Sequence, residues 1–287
     1  MTLLQNKLQK VKDQTGSQFH IIEKDYALSY ILAGISKNKI LKDTLVFKGG
    51  TALKKCYFGD YRFSEDLDFS VIDAPKGDEL ERLLIEALES ATTLLSEQGI
   101  FKIELERHYE KEPHPRAQDA FDILVQFPKH RRPMCALKIE ITHDEPVLLQ
   151  PETKSIIHGY GEVLDAAINC YQLEEIVSEK LRAMLQTRQK FFEKGSKRPR
   201  ARDYYDLWKI FTKYGKELDK QKIKVIFPKK CQHREINYTS VEEFFTPELL
   251  SEISLHWEKM LGSYVKQLPD YNIILPELKT MVTMVLA

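Results

Sequence analysis

Residues 45–70 place the tightest limits on how this chain can fold. Residues 45–47 (Leu-Val-Phe) predict a short buried strand, and the two glycines after it predict a turn into a short helix that begins near Thr51. A second strand then carries Asp66 and Asp68. Residues two apart on a strand point to the same face, so the two carboxylates lie roughly 7 Å apart on one side of a sheet.

Two like charges on one strand face repel each other unless a cation lies between them. Hard divalent cations such as Mg²⁺ take carboxylate oxygens as ligands. The backbone N–H groups of Gly49, Gly50 and Thr51 stand at the start of the predicted helix, a favourable position for phosphate. An Asp-x-Asp pair alone is typical of many solvated strands, but strand, glycine turn, helix and carboxylate pair together indicate a site for a nucleoside triphosphate with Mg²⁺.

Two segments carry a family resemblance. They are Lys48-Gly49-Gly50-Thr51-Ala52-Leu53 and Arg62-Phe63-Ser64-Glu65-Asp66-Leu67-Asp68-Phe69. Together they resemble the nucleotidyltransferase fingerprint of the AbiEii/AbiGii toxin family, whose members are polymerase-β-like enzymes and the toxins of type IV toxin–antitoxin and abortive-infection systems. The resemblance implies a metal site with two Mg²⁺ ions at Asp66 and Asp68. It also implies a nucleotide-binding set, namely Lys48, Gly49, Gly50, Thr51, Arg62 and Ser64.

A later strand, residues 136–142, supplies a candidate for a third carboxylate. Its apolar residues face the core, whereas Lys138, Glu140 and Thr142 share the other face. Polymerase-β-like enzymes carry a third metal-binding carboxylate on a strand beside the Asp-x-Asp, and Glu140 is the candidate here. The alternative is that Glu140 is a surface carboxylate on a half-exposed strand. Asp122, on the preceding strand, is the reserve candidate.

Two helices in the second half carry charges inside their apolar stripes. Lys180 lies within the apolar arc of residues 172–190, and Asp203 falls on the stripe of the next helix with Asp206 at its flank. The family pattern has a Lys on one helix and Arg-x-x-Asp-type residues on the next. It therefore implies catalytic roles, with Lys180 neutralising triphosphate charge and Asp203 either orienting Lys180 or acting as a base. The alternative is that Asp203 caps its helix and pairs with Lys180 structurally.

The net charge of zero hides an uneven distribution. Residues 180–234 contain 18 Lys and Arg against five Asp and Glu, a local excess of 13 positive charges. A basic block beside an acidic metal site favours a polyanionic partner, although a solvated helical face is the alternative. Combined with the resemblance, it predicts transfer of nucleotides to RNA, at a tRNA 3′ end. Protein nucleotidylation (AMPylation-like transfer) and a non-catalytic nucleic-acid-binding module on the same fold are the other candidate functions.

The whole pattern predicts an α+β protein with two domains. Residues 1–165 are predicted to form a polymerase-β-like nucleotidyltransferase core, a small mixed sheet flanked by helices, and residues 166–287 a helical bundle. We expect two N-terminal helices within residues 1–36, in which Lys24 and Asp25 are surface charges, and strands at 101–105 and 121–127.

The chain lacks the features of an exported or membrane-spanning protein. Its N-terminus has no apolar core or cleavage site of a signal peptide, and no apolar run approaches the ~18 residues of a membrane span. Four widely spaced cysteines suggest neither zinc binding nor disulfides. We therefore expect a cytoplasmic protein with no membrane contact. A toxin of this family further implies a cognate antitoxin encoded nearby.

Overall fold

The computed structural model describes residues 2–109, 117–195 and 200–287. The chain forms two compact units, Met1–Tyr171 and Gln172–Ala287. The sequence predicts a domain boundary between residues 165 and 166, and that boundary remains a prediction. Within the described ranges, no helix combines the length and the apolar character needed to cross a membrane.

The first unit is built on one mixed sheet of seven strands. The strands are β1 (Leu45–Lys48), β2 (Asp66–Val71), β3 (Lys102–Arg107), β4 (Gln118–Gln126), β5 (Cys135–Thr142), β6 (Glu152–Ser155) and β7 (Ala167–Cys170). Their order across the sheet is β3-β4-β5-β2-β1-β7-β6. β2 pairs antiparallel with β1 and parallel with β5, which puts the predicted carboxylate strand at the centre of the sheet.

The sheet alternates in the way that the sequence predicts. Leu67 and Phe69 of β2 and Ile139 and Ile141 of β5 are fully buried, while the residues between them, Asp68 and Glu140, are half-exposed. Successive side chains on a strand point to opposite faces. One face of the sheet is therefore an apolar core surface, and the other carries the polar side chains of the candidate site.

Helices pack against the sheet in the first unit. They are α1 (Leu3–Thr15), α2 (Phe19–Lys37), α3 (Lys39–Thr44), α4 (Gly49–Ala52), which continues into a π-helical turn at Leu53–Tyr57, and α5 (Gly77–Leu95). α2 and α5 contact the sheet and each other. At Gly34 of α2 an added Cβ would lie 2.2 Å from the carbonyl oxygen of Ala87 and 2.9 Å from Cβ of Ala91, both in α5. A glycine is needed here because the two helix backbones approach so closely.

Asp25 does not lie at the surface, so the sequence-based interpretation was wrong for this residue. Its side chain is 5% exposed, and its Oδ2 lies 2.8 Å from Nζ of Lys55, which is 2% exposed. Tyr160 also donates a hydrogen bond to Asp25 at 2.9 Å. A buried charge needs such partners, because an uncompensated one is costly. Lys24 does pair at the edge of the fold, with Glu65 at 2.9 Å.

The described part of the second unit, residues 172–195 and 200–287, forms helices. Its helices are α6 (Leu173–Lys194), α7 (Ala201–Tyr214), α8 (Lys220–His233), α9 (Pro247–Leu261) and α10 (Tyr271–Leu286). Apolar stripes close the bundle; Phe244, Leu261 and Val282 are fully buried. The helical pattern begins at Leu173 rather than near Asp165 as the sequence suggested. β7 occupies the intervening residues because Cys170 pairs with Phe47 of β1.

Glu162 of the first unit makes folding stability depend on pH. It accepts hydrogen bonds from Tyr26 at 2.7 Å and from Lys7 at 2.9 Å. Burial alone would raise its pKa, but the hydrogen bonds outweigh burial and lower the pKa to about 2, from an ordinary value of 4.5. A lowered carboxyl pKa contributes stability that is complete above the ordinary pKa and is lost as the pH falls through the folded-state pKa.

We therefore expect the melting temperature of the wild type to fall more steeply than that of Glu162→Gln between about pH 4.5 and pH 2. Circular-dichroism melts at several pH values measure this difference. Glu89→Gln, at an exposed position of α5, is the control and keeps the wild-type slope. If the melting temperatures of the wild type and Glu162→Gln fall equally steeply with decreasing pH, the lowered pKa of Glu162 is contradicted.

Candidate active site

The glycine bend lies directly against the carboxylate strand. Gly49 has φ of +79°, and the helix begins at this residue rather than near Thr51, the start predicted from the sequence. A Cβ added at Gly49 would lie 2.6 Å from Oδ2 of Asp68. Both the backbone conformation and the close approach require glycine here. The bend and the Asp-x-Asp pair are therefore parts of one site.

The two aspartates and Glu140 share one face of the sheet. In the parallel pairing of β2 with β5, Asp68 is in register with Glu140, and Asp66 with Lys138. Residues in register on neighbouring strands point to the same side, with Cβ atoms roughly 5 Å apart. Glu140 is thus beside Asp68, as the resemblance implies. The reserve candidate Asp122 is in register with Lys138 on the far side of β5, one strand further from Asp68.

These carboxylates do not close into a metal cage of their own. Among the described residues, no three His, Cys, Asp or Glu side chains converge closely enough to hold a metal ion. Mg²⁺ usually takes only one or two protein carboxylates and completes its coordination with water and substrate phosphates. Asp66, which is exposed, and Asp68, which is half-buried, fit that pattern, since their oxygen donors lie beside a bend suited to phosphate.

Lys138 lies in the middle of this polar face, and the sequence interpretation gave it no role. Its Nζ donates a hydrogen bond to Oε1 of Glu140. Burial alone would lower the pKa of Lys138, but that hydrogen bond and the charges of Glu140 and Asp66 raise it above its ordinary value. In the sequence, the indication of its position was that Lys138 and Glu140 share one face of the strand.

Arg62 and Ser64 lie beside the second glycine of the bend. A Cβ added at Gly50 would be 2.5 Å from Nη2 of Arg62 and 3.2 Å from Oγ of Ser64. Arg62 is 3% exposed as a residue, and its guanidinium also donates to the Phe63 carbonyl at 3.2 Å. A planar, permanently charged group next to backbone N–H groups suits phosphate recognition.

Thr51 and Lys48 have partners inside the fold. The Thr51 hydroxyl donates to the backbone carbonyl of Asp66 at 2.5 Å, which ties the start of the helix to β2. Lys48 is in register with Asp68. Its Nζ lies 5.8 Å from the centre of the Tyr171 ring, whose hydroxyl donates to Ser70 at 2.7 Å. Nothing in the sequence pattern pointed to Tyr171.

A second charged cluster lies within the helical unit. Nζ of Lys180 is 2.8 Å from Oδ1 of Asp203 and 2.7 Å from Oδ2 of Asp206. The Asp206 side chain is 0% exposed and that of Lys180 9%. Arg200 adds a hydrogen bond to Asp203 at 3.3 Å. Burial alone would raise the pKa of Asp203, but Lys180 and Arg200 hold it below its ordinary value. Asp203 does not act as a side-chain helix cap.

The basic block is in part an internal ion-pair network. Besides Lys180 and Arg200, Arg188 pairs with Glu243 at 2.8 Å, and Lys230 pairs with Glu175 at 2.8 Å. Where the structure describes side chains of the block, the exposed lysines are on or next to α7 and α8, at Lys213, Lys216, Lys220 and Lys229. Residues 196–199 lie outside the described residues. The surface open to a polyanion is therefore smaller than the charge count suggests.

Replacing Gly49 by Ala is expected to lower nucleotide transfer by roughly 100-fold, because the new Cβ would displace the Asp68 carboxylate. The positive φ adds strain of about 1–2 kcal/mol. Gly16→Ala is the matched control, since Gly16 has φ of +71° but open space around its Cβ position. Both variants should lose stability in thermal melts, and Gly49→Ala should lose at least as much as Gly16→Ala because of the added contact with Asp68. Equal transfer rates in the two variants would refute the role of the bend.

A seven-stranded mixed sheet with a glycine bend against Asp68, together with a helical unit, is an arrangement that suits a nucleotidyltransferase. The family model described as "Nucleotidyl transferase AbiEii toxin, Type IV TA system" matches residues 30–283, and the chain belongs to this family. It is accordingly a nucleotidyltransferase toxin of a type IV toxin–antitoxin system.

A solved structure agrees with this fold. MenT4, a nucleotidyltransferase toxin from Mycobacterium tuberculosis H37Rv, is similar over 94% of this chain and 83% of its own, with 19% sequence identity and a TM-score of 0.59. Comparison with curated protein sequences gives no match. The fold class predicted from the sequence is confirmed.

Proposed function

We propose that this toxin transfers nucleotides from a nucleoside triphosphate to the 3′ end of RNA, with tRNA as the substrate class, in an Mg²⁺-dependent reaction. The observation that carries the proposal is the position of Asp68, which lies against Gly49 and in register with Glu140. The carboxylate strand and the phosphate-binding bend contact each other directly, which suits a triphosphate bound with its metal. A site with only a structural role would not require this contact.

Asp66 and Asp68 would hold the metal, and Glu140 is the proposed third ligand. Bound Mg²⁺ would neutralise charge at the reacting phosphate and stabilise the negative charge that develops on the attacking and leaving oxygens. The backbone N–H groups of Gly49 and Gly50 bind phosphate oxygens at the helix start. Thr51 keeps this start fixed against β2 through its hydrogen bond to Asp66.

The remaining charges of this unit are proposed to bind the triphosphate. Arg62 offers its guanidinium beside Gly50, with the Ser64 hydroxyl next to it. Lys48, in register with Asp68, adds a cation at the end of β1. For Lys180, Asp203 and Asp206, a catalytic role is proposed from the order and spacing that they share with the family.

RNA is proposed as the acceptor because the helical unit exposes lysines along α7 and α8. In this proposal a free 3′-hydroxyl of RNA attacks the α-phosphorus of the nucleoside triphosphate. A phosphodiester bond forms, the bond between the α- and β-phosphates breaks, pyrophosphate leaves, and the hydroxyl proton passes to solvent. A nucleic-acid substrate and a nucleoside triphosphate also fit a cytoplasmic site of action. A cognate antitoxin, as expected for a type IV system, would be encoded in a neighbouring gene.

The test is to incubate the toxin with labelled nucleoside triphosphates, total tRNA and cell lysate, with Mg²⁺ or with EDTA. We expect label in tRNA, only with Mg²⁺, and none in tRNA whose terminal diol has been oxidised by periodate. Label in protein alone would replace RNA by a protein hydroxyl as acceptor. Undiminished labelling in EDTA would remove the metal from the mechanism.

A further inference from the structure

Lys138 is surrounded by the carboxylates of the candidate active site. On β5 it is two residues before Glu140, so both side chains point to the same face. It is in register with Asp66 on one side and with Asp122 on the other. Three carboxylates from three strands therefore border one ammonium group.

The side chain of Lys138 already has a partner within this group. Its Nζ forms an ion pair with Oε1 of Glu140, and the two side chains are 34% and 32% exposed. Glu140 is the carboxylate that the proposed function assigns as the third metal ligand. In the described part of the chain no three such ligands converge, and Glu140 is bonded to Lys138 instead.

The charges on this face explain why a lysine stands there. Asp66, Asp68 and Glu140 carry three negative charges on one face of two neighbouring strands, and such a group is unfavourable without a counter-charge. The ammonium group of Lys138 supplies one fixed positive charge. Any cation that engages Glu140 has to take the place of this ammonium group or share the carboxylate with it.

We propose that Lys138 is an internal counter-cation that competes with Mg²⁺ for Glu140 and keeps the affinity of the nucleotide-free site for metal low. Lys138 is thus a positioning residue, which holds Glu140 until metal and triphosphate arrive together. This inference rests on the proposed metal-dependent function. It extends that function, because Glu140 exchanges Lys138 for Mg²⁺ when metal and triphosphate bind.

The test measures Mg²⁺ binding by calorimetry without nucleotide, in the wild type, Lys138→Met and Lys154→Met. Lys154 is a matched control, because it pairs with Glu152 two residues away on a strand of the same sheet, at 2.7 Å and with 33% of its side chain exposed. We expect Lys138→Met to bind Mg²⁺ roughly tenfold more tightly than the wild type. Lys154→Met should bind like the wild type.

A double variant makes the assignment to Glu140 specific. The gain in Mg²⁺ affinity should vanish when Lys138→Met is combined with Glu140→Gln. If Lys138→Met folds poorly, Lys138→Gln replaces it and should show the same gain. Suppose that the wild type binds Mg²⁺ and that Asp68→Asn abolishes this binding. If Lys138→Met and Lys138→Gln then bind Mg²⁺ no more tightly than the wild type, this inference alone is overturned. No Asp68-dependent Mg²⁺ binding in any variant would overturn the proposed metal site as well.

Discussion

Asp68→Asn is expected to reduce the rate of nucleotide transfer by roughly 100- to 1000-fold, while the protein stays folded. Asp68 is the residue on which the site converges, in contact range of Gly49 and in register with both Lys48 and Glu140. Asparagine keeps the shape of the side chain but removes the negative charge that a metal requires. Single-turnover labelling of tRNA, with saturating nucleoside triphosphate, measures the loss.

Glu104→Gln is the control for this prediction. Glu104 is an exposed carboxylate on β3, at the edge of the same sheet, and its replacement removes one negative charge without touching the site. Both variants should melt close to the wild type. A toxin that still transfers nucleotides and still arrests cell growth with Asp68→Asn would place the chemistry elsewhere. It would also revive the hypothesis of a non-catalytic nucleic-acid-binding module.

The core of the site could be predicted because its signals are local. The bend and the first strand are consecutive in sequence, and the two-residue period of a strand fixes the shared face of Asp66 and Asp68. Glu140 is harder, since its register against Asp68 depends on which strands become neighbours. The order β5-β2-β1 is a property of the sheet, and periodicity alone does not reveal it. The family resemblance supplied that step.

Buried charges were the main failure of the sequence interpretation. Asp25 looks like a surface residue on an amphipathic helix, and its partner Lys55 is 30 residues away. Lys230 was counted within the basic block of residues 180–234 that favoured a polyanionic partner, although both it and its partner Glu175 are 0% exposed. A charge inside an apolar stripe shows that a partner exists, but not which residue it is. Short strands such as β7, with four residues, leave too little pattern to recognise.

The buried ion pairs of Lys180 with Asp203 and Asp206 fit both a structural and a catalytic role, and removal of the cation distinguishes the two roles. Lys180→Met would remove the cation that lies 2.7 Å from Oδ2 of the fully buried Asp206. We expect the free energy of unfolding to fall by about 3–5 kcal/mol, the usual cost of breaking a buried pair from one side. Urea unfolding followed by circular dichroism measures this cost.

Lys230→Met separates stability from catalysis, because it breaks a pair of similar burial in the same unit. It should lose a similar free energy of unfolding but keep the wild-type transfer rate at a temperature at which both variants are folded. Under those conditions we expect Lys180→Met to transfer nucleotides at least roughly 100-fold more slowly, since a cation that neutralises triphosphate charge would be lost. If the two variants keep equal rates, the Lys180 cluster only holds α6 against α7. If both lose activity in proportion to their instability, the family pattern of lysine and aspartates marks a folding element rather than a catalytic one.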